Sequence, residues 1–360
     1  MLSPSKPIAV GSLAPIQMLR AIAALSIVVH HGLFELEQMA AQAGQAMRWQ
    51  SVLPLEAGVD LFFVISGFVM VYASRDLFGS KNSVGPFLRR RLARIVPIYW
   101  VVTVLYLALS LSGLAPLNRV APEGAEIIAS LFFMPFERPD GLVQPLYSLG
   151  WTLNYEVMFY CLFALALPLH RAVAVATVVG ILMAMVLIGH FIPSSMTMLH
   201  FWTRSIIIEF GLGMIIGHMA LSGIRPDRKM GLALGIIGLV LLAFGSTFSA
   251  FLPDRALLFG LPAALLVIAA LAFNGEQESG TASRILISLG DASYAIYLLH
   301  PFVLRGIRVV ASQLLVTMPP LVFMLTSVTL TCIVAMIVWR WFERPVTRAL
   351  QGARQSSTMA

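Results

Sequence analysis

Met18-Leu19-Arg20-Ala21-Ile22-Ala23-Ala24-Leu25-Ser26-Ile27-Val28-Val29-His30-His31-Gly32 is the stretch on which the reading of this chain turns. It lies within an apolar run, residues 14–34, long enough to cross about 30 Å of hydrocarbon as a helix. Eleven steps separate Arg20 from His31, and at about 100° per step they come to about 20° past three full turns. Both side chains therefore share one helix face, roughly 16 Å apart along the axis. His30 is turned about 100° away from that face. Ionisable groups inside a membrane helix are costly and usually line a cavity or a site rather than face lipid. The pair thus aligns a cation near one membrane surface with a candidate general base near the other. A histidine on an apolar helix is also commonly a hydrogen-bonded packing residue, and the matching rotation of Arg20 is what turns the reading toward function.

The membrane premise rests on composition. The 360 residues are 59% hydrophobic and 11% charged, against about 25% charged in a soluble domain, which excludes a soluble fold. The expected fold is an all-α polytopic membrane protein of ten spans, at residues 14–34, 55–74, 94–113, 148–168, 172–192, 204–222, 230–251, 256–274, 286–307 and 319–342. The organisation that follows is a tail over 1–13, one membrane domain over 14–346 and a disordered tail over 347–360, with no appended soluble domain. An eleventh apolar patch, Ile127 to Phe136, is too short to span and ends at Pro135 and Pro139, which places it in a loop or at the interface. Ala41-Gln42-Ala43 resembles a signal-peptide cleavage site, but His30, His31, Glu35 and Glu37 intervene, so the first run is read as a retained span. Cys161 and Cys332 both fall in apolar runs and read as packing residues, with no disulfide framework or metal site indicated.

Orientation follows from the basic residues. With both termini cytoplasmic, seventeen of the 24 Lys and Arg residues lie inside and seven outside, the asymmetry of the positive-inside rule. The net charge of +7 then reflects topology, and no nucleic-acid partner is needed to explain it.

Further polar residues can be placed by depth. Asp60, in Gly58-Val59-Asp60-Leu61-Phe62-Phe63-Val64-Ile65-Ser66-Gly67-Phe68, opens the second span at the level of His31. It reads either as a carboxylate that accepts the imidazole N–H and fixes its tautomer or as a helix-start acid favoured by the macrodipole. Arg89-Arg90-Arg91-Leu92-Ala93-Arg94 is a topology anchor, and Arg91 and Arg94, three apart on one face, also suit phosphates at the cytoplasmic mouth together with Arg20. Glu156, in Trp151-Thr152-Leu153-Asn154-Tyr155-Glu156, is expected about five residues below the outer surface, facing a cavity. Glu209 is a lonelier case of the same kind. In Gly290-Asp291-Ala292-Ser293-Tyr294-Ala295-Ile296-Tyr297-Leu298-Leu299-His300-Pro301, His300 reads either as a second polar site residue or as a partner to the backbone loosened by Pro301.

Taken in order, Arg20 with ten residues before His31, Gly58 to Phe68, Arg91 to Tyr99, Trp151 to Glu156, Gly290 to His300 and Trp341-Phe342-Glu343-Arg344-Pro345 resemble the bacterial acyltransferase family 3, over about residues 14–346. The resemblance implies a ten-helix inner-membrane enzyme that uses cytoplasmic acyl-CoA to acylate carbohydrates or other envelope molecules, commonly on the outer side. Trp-Thr-Leu-Asn-Tyr-Glu, and the lack of a hydrolase-like appendage, look most similar to exopolysaccharide O-acetyltransferases. The commoner family pattern has Trp-Ser-Leu, two residues and Glu at this point, so the substrate subclass is what the departure touches. By position, the family's first-helix arginine and histidine fall on Arg20 and His31, its third-helix arginines on Arg91 and Arg94, and its fourth-helix glutamate on Glu156.

Together these readings give a membrane O-acyltransferase with no permanently bound cofactor. Acyl-CoA, expected to be acetyl-CoA, would dock its phosphates on Arg20, Arg91 and Arg94 and thread its flexible arm toward His31. His31 would serve as general base, or as an acyl-histidine relay, toward a hydroxyl of an exopolysaccharide or a lipid-linked oligosaccharide, with Asp60 or Glu156 steadying the imidazolium. The competing class is a proton-coupled secondary transporter, which intramembrane His, Asp and Glu also build. Such carriers often show repeated halves with broken helices in matching positions, and no such repeat is visible here.

Overall fold

In a computed structural model, residues 3–4, 13–42, 44–45, 48–49, 53–112, 122–248, 254–273, 280–314 and 318–352 are described. The chain is helical almost throughout: α1 (Ala14–Gln42), α2 (Gly58–Ala73), α3 (Val84–Leu111), α4 (Gly124–Leu131), α5 (Trp151–Ala166), α6 (Arg171–Gly189), α7 (Thr197–Trp202), α8 (Ile208–Leu221), α9 (Arg228–Phe248), α10 (Leu261–Leu271), α11 (Thr281–Asp291), α12 (Ser293–Gln313), α13 (Pro320–Val338) and α14 (Arg344–Gln351). Among the described residues seven helices are long and apolar enough to cross a membrane, namely Ala14–Gln42, Leu55–Ala73, Val84–Leu111, Arg171–Gly189, Arg228–Gly245, Ser293–Gln313 and Pro320–Gln351. Ser205–Leu221 and Ala256–Leu271 are apolar but shorter. The structure thus establishes a multi-pass helical membrane protein. The ends of the expected spans 94–113, 230–251 and 256–274 and most of both tails lie outside the described residues.

Two compact units make up the chain. The first comprises residues 1–73 and 208–338, and the second residues 74–207 and 339–360. In the first, α2 crosses α8 at backbone contact: a Cβ on Gly67 would stand 2.0 Å from the Phe210 carbonyl oxygen and one on Gly213 2.0 Å from that of Val64. Two glycines facing each other let apolar helices approach this closely where no hydrophobic force separates protein from lipid. Phe63 stacks on Phe210 at 4.6 Å beside the crossing. The core continues through Leu61, Val64, Ile65, Phe68, Ile216, Ala263, Ala264 and Val267. A short antiparallel pairing joins Ser3–Pro4 to Ile224–Arg225.

The expected ninth span, 286–307, is not one helix. It breaks at Ala292, which leaves the helical well (φ −86°, ψ 4°) between α11 and α12. The break follows from α11 pressing on α1: a Cβ on Gly290 would lie 2.0 Å from the Gln17 carbonyl oxygen, a separation only glycine allows.

In the second unit α3 begins ten residues before the expected span, at Val84, because arginines are good helix formers and carry the helix through their cluster. The stretch after α3 folds back along it. The Tyr99 hydroxyl donates to the Ser130 carbonyl (3.2 Å) and the Trp100 indole N–H to that of Leu131 (3.0 Å), so α4 ends beside the middle of α3. A second difference concerns the C-terminal tail. Residues 344–351 form α14, tied to α3 by Thr347 Oγ1 on the Ala93 carbonyl (3.3 Å), Arg89 Nη2 on the Gln351 carbonyl (2.7 Å) and Gln351 Nε2 on the Arg90 carbonyl (3.2 Å). The helix therefore runs past residue 347, where a disordered tail was expected, and residues 353–360 lie outside the described set.

Candidate functional site

The first unit holds a ladder of polar contacts between α1 and α12. Arg20 Nη2 donates to Ser293 Oγ at 2.9 Å and Nη1 to Gln17 Oε1 at 3.3 Å. Eleven residues along, His31 Nδ1 stands 3.1 Å from His300 Nε2 and 3.1 Å from the Ile27 carbonyl oxygen. Four residues farther, Glu35 meets Arg308 at 2.6 Å. Since Arg20, His31 and Glu35 each find their partner on α12 in the same chain order, the two helices run parallel, and the shared face of Arg20 and His31 is the face turned to α12. His30 is directed elsewhere, with Nε2 3.9 Å from Glu56 Oε2. The helical periodicity of one segment predicted both facts.

The tautomers follow from the acceptors. A carbonyl only accepts, so the Ile27 contact puts the proton of His31 on Nδ1. His300 Nδ1 lies 3.2 Å from the Ile296 carbonyl and is protonated for the same reason, which leaves its Nε2 to accept from His31 Nδ1–H. The lone pair of His31 then sits on Nε2, the nitrogen turned away from both partners. An imidazole held by its Nδ1–H with Nε2 basic is the arrangement a general base requires. Both readings of His300 find a contact, since the fully buried ring meets the Ile296 carbonyl of its own helix and faces that of His31 at 5.0 Å between centroids.

Asp60 does not take the part of imidazole partner. Its fully buried carboxylate is clamped by Arg255 through Nε to Oδ1 (2.9 Å) and Nη2 to Oδ2 (2.8 Å). Glu209, also fully buried, lies against Asp60. The physical reason is charge: a buried carboxylate is stabilised far more by a bidentate guanidinium than by a neutral imidazole N–H. Glu209 is accordingly not lonely but one member of an Asp60, Arg255 and Glu209 group. Sequence reading missed Arg255, although it stands at the same end of its segment as Asp60 does of the second span, which was signal enough to pair them.

The second unit gathers the remaining candidates. Tyr160 donates to Glu156 Oε1 at 2.7 Å, and Arg91 interacts electrostatically with Tyr160, Glu156 and Arg94. The Arg91 guanidinium also lies over the Phe87 ring, 5.6 Å from its centroid. Glu156 therefore shares the level of Arg91 and Arg94, whereas the sequence put them at opposite membrane surfaces. The fold-back of 124–150 is the cause. Gly150 abuts the Tyr99 ring, a Cβ there coming 2.6 Å from its hydroxyl, and Tyr99 is twelve residues, about 18 Å, from the α3 terminus at Leu111. α5 thus starts deep beside α3 and carries Glu156 down to the arginines. Tyr160, their fourth member, carried no sequence signal beyond its i, i+4 spacing from Glu156. No group of His, Cys, Asp or Glu suited to a metal ion occurs among the described residues.

Comparison with known proteins gives a consistent outcome. The family model described as the acyltransferase domain, acyltransferase 3, matches residues 14–340. The exopolysaccharide production protein ExoZ of Rhizobium meliloti is 36% identical over 309 residues, 84% of this chain and 93% of ExoZ. The acyltransferase MdmB of Streptomyces mycarofaciens is 28% identical over 86% of this chain and 83% of its own length. The O-acetyltransferase OatA of Staphylococcus aureus is 25% identical over 81% of this chain and 52% of OatA. No solved structure matches the chain.

Proposed function

The chain belongs to the acyltransferase 3 family of membrane O-acyltransferases, and we propose that it moves an acetyl group from cytoplasmic acetyl-CoA to a hydroxyl of an exopolysaccharide or of its lipid-linked precursor. The observation that carries this reading is the hydrogen-bonded His31–His300 pair, set on the same helix face as Arg20. The likeness to ExoZ and OatA supports a carbohydrate acceptor. A bacterial inner-membrane location, ten crossings with both termini cytoplasmic, and the acyl-CoA donor are parts of the same proposal, supported by the charge asymmetry and the family.

His31 Nε2 accepts the proton of the sugar hydroxyl as that oxygen attacks the thioester carbonyl. The carbon–sulfur bond breaks, and the proton passes from the imidazolium to the departing CoA thiolate. Proton transfer of this kind contributes about 10² to 10⁴-fold. As positive charge develops on His31, its Nδ1–H bonds to His300 and the Ile27 carbonyl strengthen, which is the work expected earlier of Asp60 or Glu156. Arg20 suits a CoA phosphate, and within the second unit the Arg91 and Arg94 guanidiniums have the same chemistry. The axial interval of about 16 Å from Arg20 to His31 is comparable with the reach of the CoA arm. Glu156 and Tyr160 hold Arg91 and Arg94 in place, and Asp60 with Arg255 fixes the start of α2.

The test is transfer of radiolabel from acetyl-CoA to polysaccharide by the purified full-length protein, with Arg20→Ala beside wild type. The expected outcome is a KM for acetyl-CoA raised about tenfold or more in Arg20→Ala, the loss of one charge-assisted phosphate contact. An unchanged KM would remove Arg20 from the donor site, and absence of transfer by wild type would overturn the proposal.

A further inference from the structure

The third rung of the α1–α12 ladder carries more positive than negative charge. Glu35 Oε2 pairs with Arg308 Nη1 at 2.6 Å, while Glu35 Oε1 is 3.8 Å from Arg305 Nε. One carboxylate therefore faces two guanidiniums. Arg305 Nε is buried and has no hydrogen-bond partner among the described residues, while the Arg305 side chain as a whole keeps 34% of its surface exposed. The Glu35 and Arg308 side chains keep only 10% and 15% of their surface exposed, and their helices also carry Leu36 and Leu304 of a buried apolar cluster. Glu37, the next acidic residue on α1, acts on His30.

Two guanidiniums on one carboxylate in a half-dry setting leave a charge that water satisfies poorly, and Arg is the side chain whose donor fork best matches a carboxylate or phosphate. Arg305 and Arg308 also fall among the seven basic residues that the charge asymmetry puts outside, where the positive-inside rule gives them no anchoring role. Their partner Glu35 lies one helical turn beyond His31, on the side away from Arg20, about 6 Å along α1, and on α12 Arg305 and Arg308 stand five and eight residues past His300.

We propose that Arg305, with Arg308 behind it, is an anion subsite for the acceptor: the molecule acylated at His31 carries a carboxylate or phosphate within about one sugar residue of the reacting hydroxyl. Two sources share that chemistry, a uronic acid in the polysaccharide and the pyrophosphate of a lipid-linked precursor. This inference rests on the acyl-transfer reading of His31 and adds to it the charge class of the acceptor.

The experiment uses full-length protein in lipid nanodiscs with acetyl-CoA and three acceptors: a neutral oligosaccharide, its counterpart with a uronic acid next to the acceptor sugar, and the neutral oligosaccharide on polyprenyl pyrophosphate. Wild type is expected to favour one anionic acceptor over the free neutral one by about tenfold or more in kcat/KM, largely through KM, as a site built to pair a substrate charge does. Which of the two is favoured identifies the source. Arg305→Gln is expected to bring that ratio to within about twofold of unity, and Arg305→Lys to keep part of it. Transfer that depends on His31 but is indifferent to acceptor charge, or a preference that survives Arg305→Gln, would overturn the subsite and leave acyl transfer standing. Absence of His31-dependent transfer to all three would overturn acyl transfer and the subsite with it.

Discussion

Two polar groups in the first unit, fully buried Asp60 on α2 and half-buried His31 on α1, meet the cost of burial in opposite ways. At Asp60 the carboxylate has its own cation: the bidentate Arg255 engages both oxygens, at 2.8 and 2.9 Å, with the Glu209 carboxyl against them. At His31 the imidazole is neutral, its one N–H is held by Ile27 and His300, and one basic nitrogen is left over. The first arrangement is closed and contributes to stability only as long as both partners remain. The second holds its ring by one edge and leaves the other for chemistry. Burial of an ionisable side chain is thus no guide to catalysis until its partners are counted.

That contrast can be broken or sharpened by mutation. Asp60→Ala leaves the Arg255 guanidinium without its partner and is expected to cost about 3–5 kcal/mol of stability, read as lower membrane abundance and a lower Tm in detergent. Arg255→Met added to Asp60→Ala should recover part of that loss, because removing both members of a buried pair is far less costly than removing one, while the buried Glu209 loses the same cation. A Tm that stays low in the double variant would mean that Asp60 does more than answer Arg255. His300→Gln is expected to lower kcat about tenfold with little change in KM, and to move the acid limb of the pH–rate profile, since the hydrogen bond it removes acts on the protonated form of His31. Neutral His31 is the active form, so activity falls as pH falls in wild type and variant alike. A pH profile superimposable on that of wild type would reduce His300 to packing. His30→Ala should change kcat/KM by less than about twofold, its ring being turned about 100° from His31 toward Glu56. A loss as large as that of His300→Gln would contradict the assignment of faces.

What was legible in the sequence was whatever a single helix determines by itself. The shared face of Arg20 and His31, the different facing of His30 and the membrane class all follow from periodicity and composition, and each holds in the structure. What was hidden depends on two segments at once. Asp60 was expected to serve His31, yet it meets Arg255, 195 residues away in sequence. Glu156 was set near a membrane surface because hydropathy counts residues from the last turn, and it has no means of registering that residues 124–150 fold back along α3 to Tyr99. The break at Ala292 was likewise unmarked, since it arises where Gly290 meets Gln17 on another helix. His300 was visible as a polar residue but not as the partner of His31, because the parallel pairing of α1 and α12 sets its register.

The central claim, that His31 Nε2 is the proton acceptor in acyl transfer, is tested most directly by the O-acetyl content of surface polysaccharide in cells lacking this chain, complemented with wild type or with His31→Ala at equal membrane abundance. The account predicts that wild type restores O-acetylation and that His31→Ala leaves it about 10² to 10⁴-fold slower, at or near the level of the deletion. Restoration by both at equal rates would contradict it.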